Sequence, residues 1–129
     1  MRLLNLFTTS FFLVTLFGSC GGPTEGVSVL PCKEFEEKLG ATEAAQLVDV
    51  RTPGEYAGGT INNAVNIDYN GASFKEQIDA LNKEEPIFVF CAKGGRSSAA
   101  SKVCKELGFK TIYDLDGGYT AWSQYEATK

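Results

Sequence analysis

Apolar positions along the chain alternate between two spacings. Val27 to Leu30 is a short β-branched run and predicts an edge strand. After Pro31, the residues Cys32, Phe35 and Leu39 fall at i, i+3 and i+7, which predicts a helix that Gly40 ends. Gln46 to Val50 is an apolar run and reads as a buried strand. Pro53-Gly54-Glu55-Tyr56 starts a short turn or helix closed by Gly58-Gly59, and Ala64 to Ile67 is another short strand. Ser73 with Glu76 three residues on has the spacing of a capping box, opening a helix whose face is Phe74, Ile78 and Leu81. Pro86 stops that stretch, and Ile87-Phe88-Val89-Phe90 is the strongest strand pattern in the chain. A helix to Leu107 follows the glycines at 94 and 95. Its apolar face is Ala99, Ala100, Val103, Cys104 and Leu107, with Gly108 as the residue that ends it. Thr111 to Leu115 predicts a last strand and Tyr119 to Tyr125 a last helix. Strands separated by helical patterns predict an α/β fold with a mainly parallel sheet covered on both faces.

The first residues obey a different rule. Arg2 precedes an uncharged stretch, Leu3 to Phe17, that is too short to span a bilayer comfortably and carries Thr, Ser and Asn. A basic start, an apolar middle and a small-residue end predict a signal peptide over 1–19. The sequence Leu16-Phe17-Gly18-Ser19-Cys20 resembles the lipobox of bacterial lipoproteins, although Phe17 stands where an aliphatic residue is usual. That resemblance implies that Cys20 becomes the lipidated first residue of an exported, membrane-anchored protein of the periplasm or cell envelope. An ordinary cleaved signal with Cys20 left as a free thiol and a single-pass anchor are the alternatives. Residues 20–26, rich in Gly with one Pro, read as a tether, and 27–129 as one domain.

Composition narrows the chemistry. Among 129 residues, 12 are basic and 16 acidic, for a net charge of −4, so no electrostatic footprint for nucleic acid exists. There is no His at all, which removes imidazole bases, Cys–His dyads and His-ligated metals. Four Cys remain, and covalent chemistry therefore falls to one of them.

Cys91 stands directly after the most apolar strand, where ligands bind in open α/β sheets. Gly94 and Gly95 let the backbone curl so that several N–H groups face one centre, a helix N-terminus follows, and Lys93 and Arg96 add two cations. Each feature favours a thiolate and predicts a lowered Cys91 pKa. The bland alternative is a packed core Cys that happens to end a strand. Cysteine-dependent phosphatases carry Cys-x5-Arg, whereas Cys91-x4-Arg96 is one residue shorter. The smaller ring suits a single sulfur atom borne by the Cys better than an enclosed tetrahedral oxyanion.

Cys91-Ala92-Lys93-Gly94-Gly95-Arg96-Ser97 resembles the active-site loop of the rhodanese-like (sulfurtransferase) family. So do Asp49-Val50-Arg51 with Glu55-Tyr56, Gly59-Thr60-Ile61 and Ala64-Val65-Asn66-Ile67 upstream, and Leu115-Asp116-Gly117-Gly118 with Ala121-Trp122 downstream. Thr60 departs from the pattern, where His is frequent. The resemblance implies a five-stranded parallel sheet flanked by helices. It implies a sulfurtransferase that moves a sulfane sulfur from a donor such as thiosulfate through a Cys91 persulfide to a thiol or cyanide acceptor. Neither a cofactor nor a metal is required, and the protein is expected to act as a monomer. The loop amides of Ala92, Lys93, Gly94, Gly95 and Arg96 would hold the persulfide. Lys93 would draw an anionic donor, Arg96 would brace the loop, and Asp49 and Arg51 would support it. Trp122 reads as core packing, and Cys32 and Cys104 as inert core thiols. Two other functions remain open at this point: a non-catalytic binding or regulatory module of the same fold, and a small Cys-dependent phosphatase or arsenate reductase.

Overall fold

The computed structural model describes residues 26–129. The expected signal peptide, Cys20 and the tether up to residue 25 lie outside the described residues. Strands and helices alternate: β1 Val27–Leu30, α1 Cys32–Ala41, β2 Gln46–Asp49, α2 Pro53–Ala57, β3 Val65–Asn66, α3 Phe74–Asp79, β4 Ile87–Phe90, α4 Gly95–Glu106, β5 Ile112–Leu115 and α5 Gly118–Ala127. The strands form one parallel sheet in the order β1-β5-β4-β2-β3. The α/β architecture with five parallel strands is therefore the one expected, and β1 is an edge strand.

All four residues of β4 are buried, because the strand is central and covered on both faces. Side chains alternate across a sheet, so Ile87 and Val89 point one way and Phe88 and Phe90 the other. The first pair joins Val48, Ile112, Phe74, Ile78, Ala100 and Cys104 in a core beneath α3 and α4. The second pair joins Phe35, Leu115 and Trp122 beneath α1 and α5. There Phe35 meets Phe88 edge-on, ring centroids 5.4 Å apart. Such pairs add about 0.5–1.5 kcal/mol beyond area burial. Cys32 and Cys104 belong to opposite faces and are free thiols, so no bridge joins them.

Three local expectations are corrected. Helix α1 continues through Gly40 to Ala41 before Thr42 caps it. Ser73 makes no side-chain cap: its ψ of 15° is not the extended conformation that aims a hydroxyl at the third amide of a helix. The reciprocal box forms instead at Thr52, which is extended, with Glu55. Lastly, the fully buried stripe of α4 is Ser97, Ala100, Ser101 and Cys104, while Ala99, Val103 and Leu107 are half-buried. Two serines thus occupy a core stripe: Ser97 Oγ donates to the Gly94 carbonyl at 3.3 Å, whereas Ser101 Oγ has no partner among the described residues.

Candidate active site

The parallel register pairs Asp49 with Phe90, so the segments that follow β2 and β4 leave the sheet side by side. Residues 91–94 join β4 to α4. Gly94 has φ +114°, a conformation side-chain-bearing residues seldom adopt, and this lets the chain turn from the loop into α4. The Gly94 N–H donates to Cys91 Sγ at 3.0 Å. The Ser97 hydroxyl, one turn into α4, lies 3.5 Å from the same atom. Burial pushes the Cys91 thiol up, but the Ser97 hydroxyl and the N–H groups of Ser97, Gly94 and Lys93 outweigh it, so the thiol sits below its ordinary value. Cys91 is only 1% exposed, as a packed core Cys would be, yet N–H groups converge on its sulfur. The backbone donors near that sulfur are those of Lys93, Gly94 and Ser97. Ser97, not singled out for this role by the sequence, is the side chain nearest it among these.

Arg96 turns away from the sulfur to Glu55, with Nη1 at 2.7 Å and Nη2 at 3.0 Å from its two carboxylate oxygens. This two-point pair holds the Glu55 carboxyl down at about 2. Glu55 is itself fixed in the Thr52 box, so α2 holds the start of α4. Lys93 is exposed and, among the described residues, forms no ion pair, which leaves its charge free at the loop tip.

Asp49 and Arg51 form a buried pair: Arg51 Nη2 lies 2.8 Å from Asp49 Oδ2, and Nε is 3.0 Å from Oδ1. Arg51 Nη2 also donates to the Gly59 carbonyl at 2.6 Å, and its guanidinium stacks 4.1 Å from the Tyr119 ring centre. Thr60 Oγ1 donates to Asp49 Oδ2 at 2.9 Å. A hydroxyl thus serves as donor to the carboxylate at the position where the resemblance led us to expect His.

Helix α5 holds the loop from behind. Tyr119 N–H donates to the Cys91 carbonyl at 2.7 Å and Thr120 N–H to the Ala92 carbonyl at 3.0 Å. Gly118, at φ +61°, makes this approach possible: a Cβ there would stand 2.5 Å from the Cys91 oxygen and 2.6 Å from the Ala92 carbonyl carbon. The structure thus gathers Cys91, Ala92, Lys93, Gly94, Gly95 and Arg96 at one end of the sheet, with Asp49 and Arg51 beside them. Glu55, Ser97 and Gly118, which the sequence offered as motif residues without a role, join them, as does Tyr119. Of these, Glu55 carried a readable signal, the Thr-x-x-Glu spacing from Thr52. No group of three or more His, Cys, Asp or Glu among the described residues could hold a metal ion.

Residues 32–125 match the pattern of the Rhodanese-like domain family. The chain is 37% identical over 78 residues to the thiosulfate sulfurtransferase GlpE of Pseudomonas paraeruginosa, covering 60% of this chain and 69% of that one. It is 27% identical over 99 residues to a sulfurtransferase of Allochromatium vinosum, covering 77% and 91%. Among solved structures, a rhodanese-related protein of Thermoplasma volcanium superposes with a TM-score of 0.65 at 30% identity, over 75% of this chain and 91% of that one.

Proposed function

Because the chain belongs to the rhodanese-like family, we propose that it is a sulfurtransferase that carries a sulfane sulfur on Cys91 from a donor such as thiosulfate to a thiol or cyanide acceptor. The observation that carries this reading is the Gly94 N–H aimed at Cys91 Sγ from 3.0 Å, inside a Cys-x4-Arg loop one residue shorter than that of Cys-dependent phosphatases. A buried sulfur surrounded by donors rather than by water is a preorganised site for negative charge.

In this reading the Cys91 thiolate attacks the outer sulfur of thiosulfate. The new S–S bond forms as the bond to the sulfite group breaks, and sulfite leaves with that electron pair. The terminal sulfur of the persulfide then carries the charge, and the amides of the loop from Ala92 to Arg96 stabilise it. An acceptor thiolate attacks that sulfur and regenerates the Cys91 thiolate, so no cofactor enters the cycle. Lys93, the free cation at the loop tip, draws an anionic donor. Arg96 braces the loop through Glu55, and Asp49 with Arg51 supports it from the neighbouring strand.

Mass spectrometry after incubation with thiosulfate tests the reading. The chain gains one sulfur and loses it on addition of cyanide, and Cys91→Ser gains none. Sulfur uptake that survives Cys91→Ser overturns it.

We further propose that the protein is exported and held at a membrane by acyl chains on Cys20, a reading supported by the lipobox-like Leu16 to Cys20 segment. Its acidic net charge gives it no attraction of its own for an anionic surface. Fatty-acid labelling of the chain that disappears in Cys20→Ala is the expected result. Equal labelling of both, or none of either, refutes it.

A further inference from the structure

Register partners in a parallel sheet share a face, and Asp114 of β5 is paired with Val29 of the edge strand β1. Helix α4 packs over β4 and β5 on that face and leaves the edge strand open, so Val29 is 59% exposed while Asp114 is 3% exposed. A cavity of about 90 Å³ lies at this shoulder, between β1, β5 and α4. Ser98, Ser101, Lys102 and Lys105 stand at i, i+3, i+4 and i+7 along α4, one face of the helix, and all four line it. Val27 and Val29 give it an apolar wall, and Asp114 completes the lining. None of these residues belongs to the Cys91 loop.

The two ends of the cavity carry opposite needs. At the closed end, Asp114 Oδ1 and Ser101 Oγ are buried without a hydrogen-bond partner, and Ser101 is only 1% exposed. Buried polar atoms are ordinarily paired, and a bond left unmade there costs more than an ordinary one contributes. At the open end, Lys102 and Lys105 are exposed and form no ion pair among the described residues. The remaining charge beside Asp114 is Asp116 further along the chain, and β4 presents Val89.

We propose that this cavity binds a small zwitterion: an ammonium group and a carboxylate joined by one or two carbons, as in a small amino acid. The ammonium enters and donates to Asp114 Oδ1 and Ser101 Oγ. The carboxylate stays at the mouth between the Lys102 and Lys105 ammonium groups, and the methylene lies against Val27 and Val29. Neither half suffices alone, because a simple anion meets the Asp114 carboxylate and a simple cation meets two lysines. Size agrees with charge. A cavity of about 150 Å³ admits benzene, so one of about 90 Å³ has room for about four heavy atoms. The nitrogen and two carbons of glycine fit inside, with its carboxylate oxygens at the rim.

The test is a titration of the full chain followed by NMR at the Val27 and Val29 methyl groups and the Asp114 carboxyl carbon. At about pH 8 that carboxyl, raised by burial to about 6, is ionised. The probes are glycine, methylammonium and acetate. Glycine shifts all three sets of signals saturably, and methylammonium and acetate bind at least about tenfold more weakly, since each forgoes one charged contact. Asp114→Asn removes the partner of the ammonium and weakens glycine at least about tenfold. Lys102→Met combined with Lys105→Met changes exposed residues only. It weakens glycine and strengthens methylammonium, which no longer meets two like charges. The three-probe comparison uses the unmutated chain and needs no variant to fold. Absence of a saturable shift with glycine, equal affinity for glycine and methylammonium, or glycine binding that Asp114→Asn leaves unchanged overturns the proposal.

Discussion

Two buried carboxylates of this chain meet opposite circumstances. Asp49 faces the Arg51 guanidinium, the Arg51 N–H and the Thr60 hydroxyl, all as donors. Removing it as Asp49→Ala leaves an unpaired guanidinium that is 4% exposed, and we expect a loss of about 3–5 kcal/mol in urea unfolding. Asp114 instead has an oxygen without a partner. Its folded-state pKa, about 6, lies above the ordinary 3.8, so the native state holds its proton more tightly than the unfolded chain. That contribution is fully present below about pH 4 and is lost as pH rises through 6. Asp114→Asn therefore gains stability relative to the unmutated protein between pH 4 and 7, by on the order of 2–3 kcal/mol, in paired denaturant titrations. A difference that does not change with pH counts against a costly buried charge. Neither circumstance could be read from sequence. Asp49 and Arg51 stand two apart on a strand end, a spacing that allows a pair but does not show the lid of Gly59, Thr60 and Tyr119 over it. Asp114 sits in a run that reads simply as a strand, with nothing to indicate which side chains cover it.

Short elements position the loop as much as the long helix does. Helix α2 has five residues, but its box at Thr52 and Glu55 ties it to Arg96. Thr52→Ala removes that cap, and a loss of about 1 kcal/mol is expected in thermal or urea unfolding. Gly118→Ala is harsher, because the added Cβ meets the backbone of residues 91 and 92, which cannot swing aside as a side chain does. We expect a folded protein by circular dichroism whose sulfur uptake falls at least about tenfold, since a loop displaced by an ångström costs that much or more. Uptake at the unmutated rate would mean that α5 does not set the loop. At this scale the sequence was largely readable: β4 and the Cys91 loop stand where the Ile-Phe-Val-Phe run and the two glycines place them. The misplaced cap at Ser73 shows the limit, because Ser-x-x-Glu spacing says nothing about backbone ψ. The serines on the buried stripe of α4 escaped for a related reason. Apolar periodicity finds a face only when the face is apolar, and this one is shared with Asp114.

For the molecule as a whole, the central sheet separates Cys32 from Cys91 and Cys104. Cys104 lies in the core under α4, where burial pushes its thiol up to about 12, and Cys32 is also raised by burial on the opposite side. Peptide-resolved alkylation at pH 8 should therefore label Cys91 ahead of Cys32, and Cys104 only after denaturant is added. Labelling of Cys104 in the native protein at the rate of Cys91 contradicts this. The alternation of strand and helix patterns was enough to foresee the parallel sheet, because helical crossovers between successive strands run them parallel and cover both faces of the sheet. The strand order and the docking of α5 on the loop are products of packing over distances that no local pattern encodes. That docking has a consequence for biosynthesis. A chain emerging from the ribosome exposes residue 91 well before residues 119 and 120, whose amides hold the carbonyls of 91 and 92. A ribosome-bound intermediate that already contains the cysteine but not yet these amides lacks two of the hydrogen bonds that hold the loop, so under the proposed function sulfur loading is expected only after translation has passed this point.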